Sequence, residues 1–128
     1  MSVGGVGVDI VAVDRIEALL SRHGQRFLRR CFRNGELPLG EDGASPSGLA
    51  GQVAGRWAVK EACLKALGGE VRGVPYRDIE VRRGPAGEPS VVLHGRAAAA
   101  LAAIGGRRVL ASLSHERAMA VGVVIIER

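Results

Sequence analysis

Four positions carry residue types that could do chemistry: Asp9, Glu61, Lys65 and His115. Asp9 stands in the apolar run Val6-Gly7-Val8-Asp9-Ile10-Val11, where an acid is costly unless it is solvated, hydrogen-bonded or holding a cation. It could also be a strand-end acid that caps the next turn. Glu61 and Lys65 lie one helical turn apart in Gly55-Arg56-Trp57-Ala58-Val59-Lys60-Glu61-Ala62-Cys63-Leu64-Lys65-Ala66-Leu67-Gly68-Gly69. The chain has only two lysines, Lys60 and Lys65, against sixteen arginines, so lysine in this stretch looks selected for its chemistry. By spacing alone, Glu61 and Lys65 read first as a helix-surface ion pair, with the functional reading second. His115 follows Ser112-Leu113-Ser114 at a hairpin mouth, as a structural hydrogen-bonder or a catalytic group. His23 and His94 have no comparable setting and read as structural.

The elements that must position these groups follow from periodicity. From Arg56 to Leu67 there is no Pro and no interior Gly, and Gly68-Gly69 forms a C-terminal stop. Val59, Ala62, Cys63, Ala66 and Leu67 share an apolar arc, with Trp57, Glu61 and Lys65 opposite it. Ser47 is the predicted N-cap of a helix running from about Leu49 through Leu67. In the first strand, Val6, Val8 and Ile10 point one way and Gly7, Asp9 and Val11 the other. Asp14 and Glu17 have capping-box form, with Ile16, Leu19 and Leu20 as the buried stripe. Gly24 should end that helix, and a short one, about 25–32, should follow. Residues 33–48 read as an exposed loop. Beyond Gly73 the period becomes two: strands at 78–82 and 90–94 pair about a Gly-Pro turn, and an alanine-rich helix spans 96–104. A closing hairpin pairs 109–114 with 119–126 around His115-Glu116-Arg117-Ala118. The order predicts a single α+β domain over 1–128, a mainly antiparallel sheet packed against a long helix.

With 128 residues and few aromatics, the core must be Val, Leu, Ile and Ala. Cys31 and Cys63 are too few for a disulfide framework or a zinc site, which fits a reducing, cytoplasmic setting. No charged-then-apolar leader precedes Gly4 and no run approaches the roughly 20 apolar residues of a membrane span, so no membrane role is expected. The net charge of +5 concentrates between Arg15 and Arg33, where six arginines face one acid, Glu17. Such a run is either a solvated face or the dock of an acidic partner. Stacking aromatics are scarce and no nucleic-acid-binding motif appears, which argues against nucleic acid as that partner.

Taken together, these segments resemble the holo-acyl-carrier-protein synthases, the short-chain 4'-phosphopantetheinyl transferases. The resemblance rests on Gly5 to Val11 with Arg15-Ile16, on Arg56 to Gly68, on Gly87-Glu88-Pro89, and on Ser112 to His115 with Ala120-Val121. It implies transfer of phosphopantetheine from coenzyme A to a serine of an apo acyl-carrier protein, releasing adenosine 3',5'-bisphosphate. It also implies Asp9 and Glu61 as ligands of Mg²⁺, Lys65 on the phosphates, and His115 with Glu116 beside it at the phosphate side or the attacking hydroxyl. Arg56 and Lys60 would meet the nucleotide phosphates, and Gly68 and Pro89 would line the coenzyme cleft. Arg15, Arg22 and Arg26 would dock the acidic carrier. A homotrimer with sites shared between neighbours is implied as well, the strand Val121 to Ile126 being a candidate for its centre. Glu70 stands where the family often has Gly-Thr-Gly, an acid beside the diphosphate. A non-catalytic basic module binding carrier proteins or nucleic acid is the alternative class.

Overall fold

A computed structural model describes residues 1–39, 48–68 and 72–128. The predicted Ser47 cap and the Glu70 position lie outside the described residues. Strand β1 (Val3–Ala12) leads into helix α1 (Val13–Cys31), followed by helix α2 (Leu49–Ala66). A one-turn 3₁₀ helix (Tyr76–Asp78) opens the hairpin β2 (Ile79–Arg83) and β3 (Pro89–Leu93). Helix α3 (Gly95–Ala103) and the hairpin β4 (Arg108–His115) and β5 (Met119–Glu127) complete the chain. All pairings are antiparallel, in a three-stranded sheet of order β1-β5-β4 and a separate pair β2-β3.

Helix α2 is the spine shared by two apolar clusters. Its N-terminal half packs Val53, Ala54 and Ala58 with Ile16, Phe27, Leu28, Cys31 and Phe32 of the α1 region. Its C-terminal half packs Val59, Ala62, Cys63 and Ala66 with Ile79, Val81, Ala97, Val124 and Ile126. The helix backbone rests directly on the sheet, because strand glycines leave room for it. A Cβ at Gly7 would run into the Ala62 carbonyl, and one at Gly122 would come 2.6 Å from the Ala58 carbonyl carbon. Register pairs Asp9 with Gly122, so this close approach sets Asp9 at the flank of α2.

One local expectation changes and another holds. Helix α1 starts at Val13, with Ala12 at the N-cap position and no side-chain cap, so Asp14 lies inside the first turn and forms no capping box. Its carboxylate is still favourable there, near the positive end of the helix dipole. Gly24 interrupts the helix as predicted, with φ 46° and ψ −121°, and the chain resumes helical geometry to Cys31 on a new axis. Positive φ costs glycine no steric penalty.

The alternation of β1 is clear. Val6, Val8 and Ile10 are 60%, 55% and 61% exposed, while Gly7 and Val11 are buried. Val6 lies opposite Ile125, Val8 opposite Val123 and Ile10 opposite Val121, and Leu110 extends the first of these rows on β4. The sheet therefore has one face against α2 and one open apolar face. Among the described residues, no helix is long and apolar enough to cross a membrane.

Candidate active site

The groups singled out above fall on two sides of α2. On one side, Lys65 Nζ donates to Asp9 Oδ1 at 3.0 Å and to the Val8 carbonyl at 3.0 Å. Glu61 lies one turn before Lys65 on the same flank and accepts a 2.7 Å hydrogen bond from the Tyr76 hydroxyl. Glu61 and Lys65 thus each use a partner from another element, β1 or the 3₁₀ turn. The Lys65 side chain is 56% exposed and that of Asp9 19%, so the pair is accessible to a ligand. Burial first, and then the Glu61 carboxylate, push the Tyr76 phenol up to about 12, so it stays a donor at neutral pH.

This pole suits a hard divalent cation. Asp9 and Glu61 supply oxygen donors only, and the Lys65 ammonium on Asp9 shows that the carboxylate pole attracts positive charge. Among the described residues no group of three or more His, Cys, Asp or Glu forms a cage. A cation held here would complete its shell from ligand oxygens and water, as Mg²⁺ does.

The other side of α2 is basic. Arg56 precedes Glu61 by five residues, which turns it about 140° around the helix. It is only 7% exposed; its Nη1 donates to the Gln52 carbonyl and to Gln52 Oε1. Its Nε is buried and has no partner among the described residues. Desolvation and then the nearby Arg83 both hold the Arg56 pKa below its usual value. Arg56, Arg83, Gln52, Gly55 and His115 line one small recess. A buried donor without a partner costs about 1–3 kcal/mol, and an anion arriving here would satisfy it. His115 is exposed at the end of β4, and Glu116 closes the hairpin with its backbone N–H on the Met119 carbonyl at 2.8 Å. His115 is on β4, two strands away from Asp9, so within one chain the two belong to different poles.

Lys60 does not join either pole. Its ammonium is fully buried against Glu36 Oε2 at 2.8 Å, with the Tyr76 and Ile79 carbonyls as further acceptors and the Phe32 ring at 4.8 Å. Every donor is turned inward, so the expectation that Lys60 meets nucleotide phosphates is corrected: it is a structural cation. Burial lowers its pKa, and Glu36 offsets part of that shift. Glu36 in turn accepts from the Arg33 and Val81 amides, fastening the 33–39 segment to β2.

A third feature is a groove of about 730 Å³, lined by Arg15, Leu19, His23, Arg26, Phe27, Arg30, Trp57 and Tyr76 among others. Arg15 and Arg26, on either side of the Gly24 kink, both line this groove. Arg22 is exposed and lies outside this lining, so the three arginines do not form one row. Gly68 follows the α2 C-cap at φ 96°, and Pro89 opens β3 opposite Arg83. Tyr76, Arg83, Gln52 and Glu36 were not singled out from sequence; each acquires its role from a partner distant in the chain or from burial, which periodicity does not report.

Residues 5–120 match the 4'-phosphopantetheinyl transferase superfamily. The chain is 47% identical over 124 residues to holo-[acyl-carrier-protein] synthase of Nitratidesulfovibrio vulgaris strain DP4, covering 96% of this chain and 97% of that protein. It is 45% identical over 121 residues to the protein of the same name from Gloeobacter violaceus, covering 94% and 90%. The fold is similar to the crystal structure of holo-[acyl-carrier-protein] synthase from Neisseria meningitidis, with TM-score 0.85 and 30% identity over 99% of this chain and all of that one. It is similar also to the Helicobacter pylori synthase solved in complex with coenzyme A, with TM-score 0.75 and 30% identity over 95% of this chain and 99% of that one.

Proposed function

The chain belongs to the 4'-phosphopantetheinyl transferase superfamily, and from that membership we infer how it works as a holo-[acyl-carrier-protein] synthase. It transfers the 4'-phosphopantetheine group of coenzyme A to a serine of an apo acyl-carrier protein and releases adenosine 3',5'-bisphosphate. The serine hydroxyl gives up its proton to solvent, and its oxygen forms the new bond to the phosphorus that carries pantetheine. The bond from that phosphorus to the bridging oxygen breaks, and the nucleotide leaves with the electron pair. A non-catalytic binding module has no support in the relatives.

The observation that carries our assignment of residues is the carboxylate pole, Asp9 with Lys65 and Glu61 one turn away. Asp9 and Glu61 would hold Mg²⁺, which when bound supplies charge neutralisation for the diphosphate. Lys65 would release Asp9 and meet the phosphate oxygens; its exposure and the modest strength of exposed ion pairs make that exchange cheap. Arg56, with its unsatisfied Nε and the repelling Arg83 beside it, would take a nucleotide phosphate, His115 assisting from the same recess. Gly68 and Pro89 would border the coenzyme cleft. Arg15 and Arg26 would steer an acidic carrier to the groove beside Trp57 and Tyr76, with Arg22 contributing only at long range.

We take residues 1–128 as one catalytic domain, cytoplasmic and trimeric. Support for assembly is the sheet face on which exposed Val6, Val8 and Ile10 sit beside half-buried Val121, Val123 and Ile125. Contiguous exposed apolar surface of this kind marks interaction sites. A ring of copies would also bring the basic pole of one chain to the carboxylate pole of the next. Incubating the protein with an apo carrier, coenzyme A and Mg²⁺, and weighing the carrier by mass spectrometry, tests the reading. One added phosphopantetheine per carrier is expected in the parent and little in Glu61→Gln. Full modification by Glu61→Gln at low Mg²⁺ would remove Glu61 from the metal.

A further inference from the structure

Tyr76, at the edge of the groove proposed for the carrier, also touches Glu61, and it is held there from three directions. Its hydroxyl lies 2.7 Å from Glu61 Oε1. Its backbone carbonyl accepts from the buried Lys60 ammonium at 2.9 Å. Its ring stacks on Trp57 with centroids 4.5 Å apart and planes 31° apart, and Trp57 packs in turn on Phe27 at 5.5 Å. The one-turn 3₁₀ helix is closed by the Asp78 amide on the Pro75 carbonyl, which fixes the residue locally too. The phenol is therefore in place before any ligand arrives.

A glutamate on a helix flank has three side-chain torsions, and ordering them opposes binding. A hydrogen bond to one carboxylate oxygen removes much of that freedom and aims the other oxygen. We propose that Tyr76 is a positioning residue for the transfer reaction: its hydroxyl holds Glu61 Oε1 so that Oε2 is presented to the divalent cation beside Asp9. This rests on the reading that Asp9 and Glu61 hold the cation. The buried Lys60–Glu36 pair then has an indirect part in the same geometry, because Lys60 anchors the Tyr76 carbonyl.

The test is Tyr76→Phe in the full chain, which keeps the ring and its stack and removes only the hydroxyl. Mn²⁺ serves as the probe, its binding followed through the free-ion paramagnetic resonance signal with coenzyme A present and no carrier, so that nothing turns over. Emission of Trp57, the single tryptophan, reports on the stack. Mn²⁺ affinity should fall about 10–100-fold, the usual effect of losing a hydrogen bond behind a metal ligand. Trp57 emission and the melting temperature should stay at the parent's values, and raising the cation concentration should recover turnover. If Tyr76→Phe binds Mn²⁺ within twofold of the parent while Glu61→Gln binds it poorly, the positioning role is wrong and the metal assignment stands. If Glu61→Gln also binds like the parent, the metal assignment itself fails and takes this proposal with it. A drop in turnover that added cation does not recover would equally overturn the proposal.

Discussion

Lys60 and Lys65 stand five residues apart on one helix, and the fold puts them to opposite uses. About 140° of rotation separates them. Lys60 points between α2, the 33–39 segment and β2, where its ammonium is fully enclosed with Glu36, two carbonyls and the Phe32 ring. Lys65 points to the rim of the sheet, over half exposed, on the Asp9 carboxylate. The first cation is worth most to folding and cannot leave its partners. The second keeps over half its surface in water, which leaves it free for the phosphate role proposed above. What separates an enclosed cation from an accessible one here is the number of partners that replace water, since the residue type and the helix are the same.

The largest effect that would break this comparison is at Lys60. Lys60→Ala should leave the Glu36 carboxylate buried and uncompensated, costing about 3–5 kcal/mol, measurable by urea unfolding. The double variant Lys60→Met, Glu36→Leu should regain most of that loss. Normal stability with weakened coenzyme A binding in Lys60→Ala would return Lys60 to the phosphate site.

Lys65→Ala should show the reverse pattern. Its stability should stay within about 0.5 kcal/mol of the parent, as for most surface substitutions. Its kcat should fall about 10²–10³-fold, the usual consequence of losing one preorganised electrostatic group. Paired rate and unfolding measurements check both halves, and a stability loss as large as that of Lys60→Ala would erase the distinction.

The open sheet face extends the comparison to the proposed assembly, in which the two poles of α2 would meet. Val8→Asp sets a charge in an exposed row opposite Val123, so the isolated chain should tolerate it and the assembly should not. Light scattering should report smaller particles, with turnover at least about tenfold lower, equivalent to about 1.4 kcal/mol. A fully active monomer would mean that one chain completes its own site.

The smallest effects belong to the arginines of α1, which sharpen the contrast between enclosed and solvated cations. Arg15→Glu should raise the carrier KM a few-fold at low salt, in line with about 0.2–1 kcal/mol for an exposed pair. Arg22→Glu should change it less, since Arg22 lies off the groove. Both differences should shrink as salt rises past physiological strength, where screening acts over about 8 Å. Coenzyme A KM should hardly move in either variant. Equal effects on both substrates would move these arginines to the coenzyme site.

By itself the sequence determined whatever repeats with a local period or matches a motif. The alternation of β1 set Asp9 on the same face as Gly7 and Val11, and the structure keeps it there. The glycine-free run from Arg56 and the Gly68-Gly69 stop marked the end of α2 to within a residue, and the helix is observed as Leu49–Ala66. The joint pattern around Asp9, Glu61, Lys65 and His115 was sufficient to indicate the family. Tertiary structure decided the rest. Pattern reading assumes that a helix has one wet side, but α2 is enclosed by the sheet, α1 and β2, so Arg56 and Lys60 are buried despite their charge. Glu36, in what reads as an exposed loop, became the partner that makes a buried Lys60 tolerable. The contact of Tyr76 with Glu61 and the separation of His115 from Asp9 depend on which elements become neighbours. That is set by burial and long-range packing, and no local spacing encodes it.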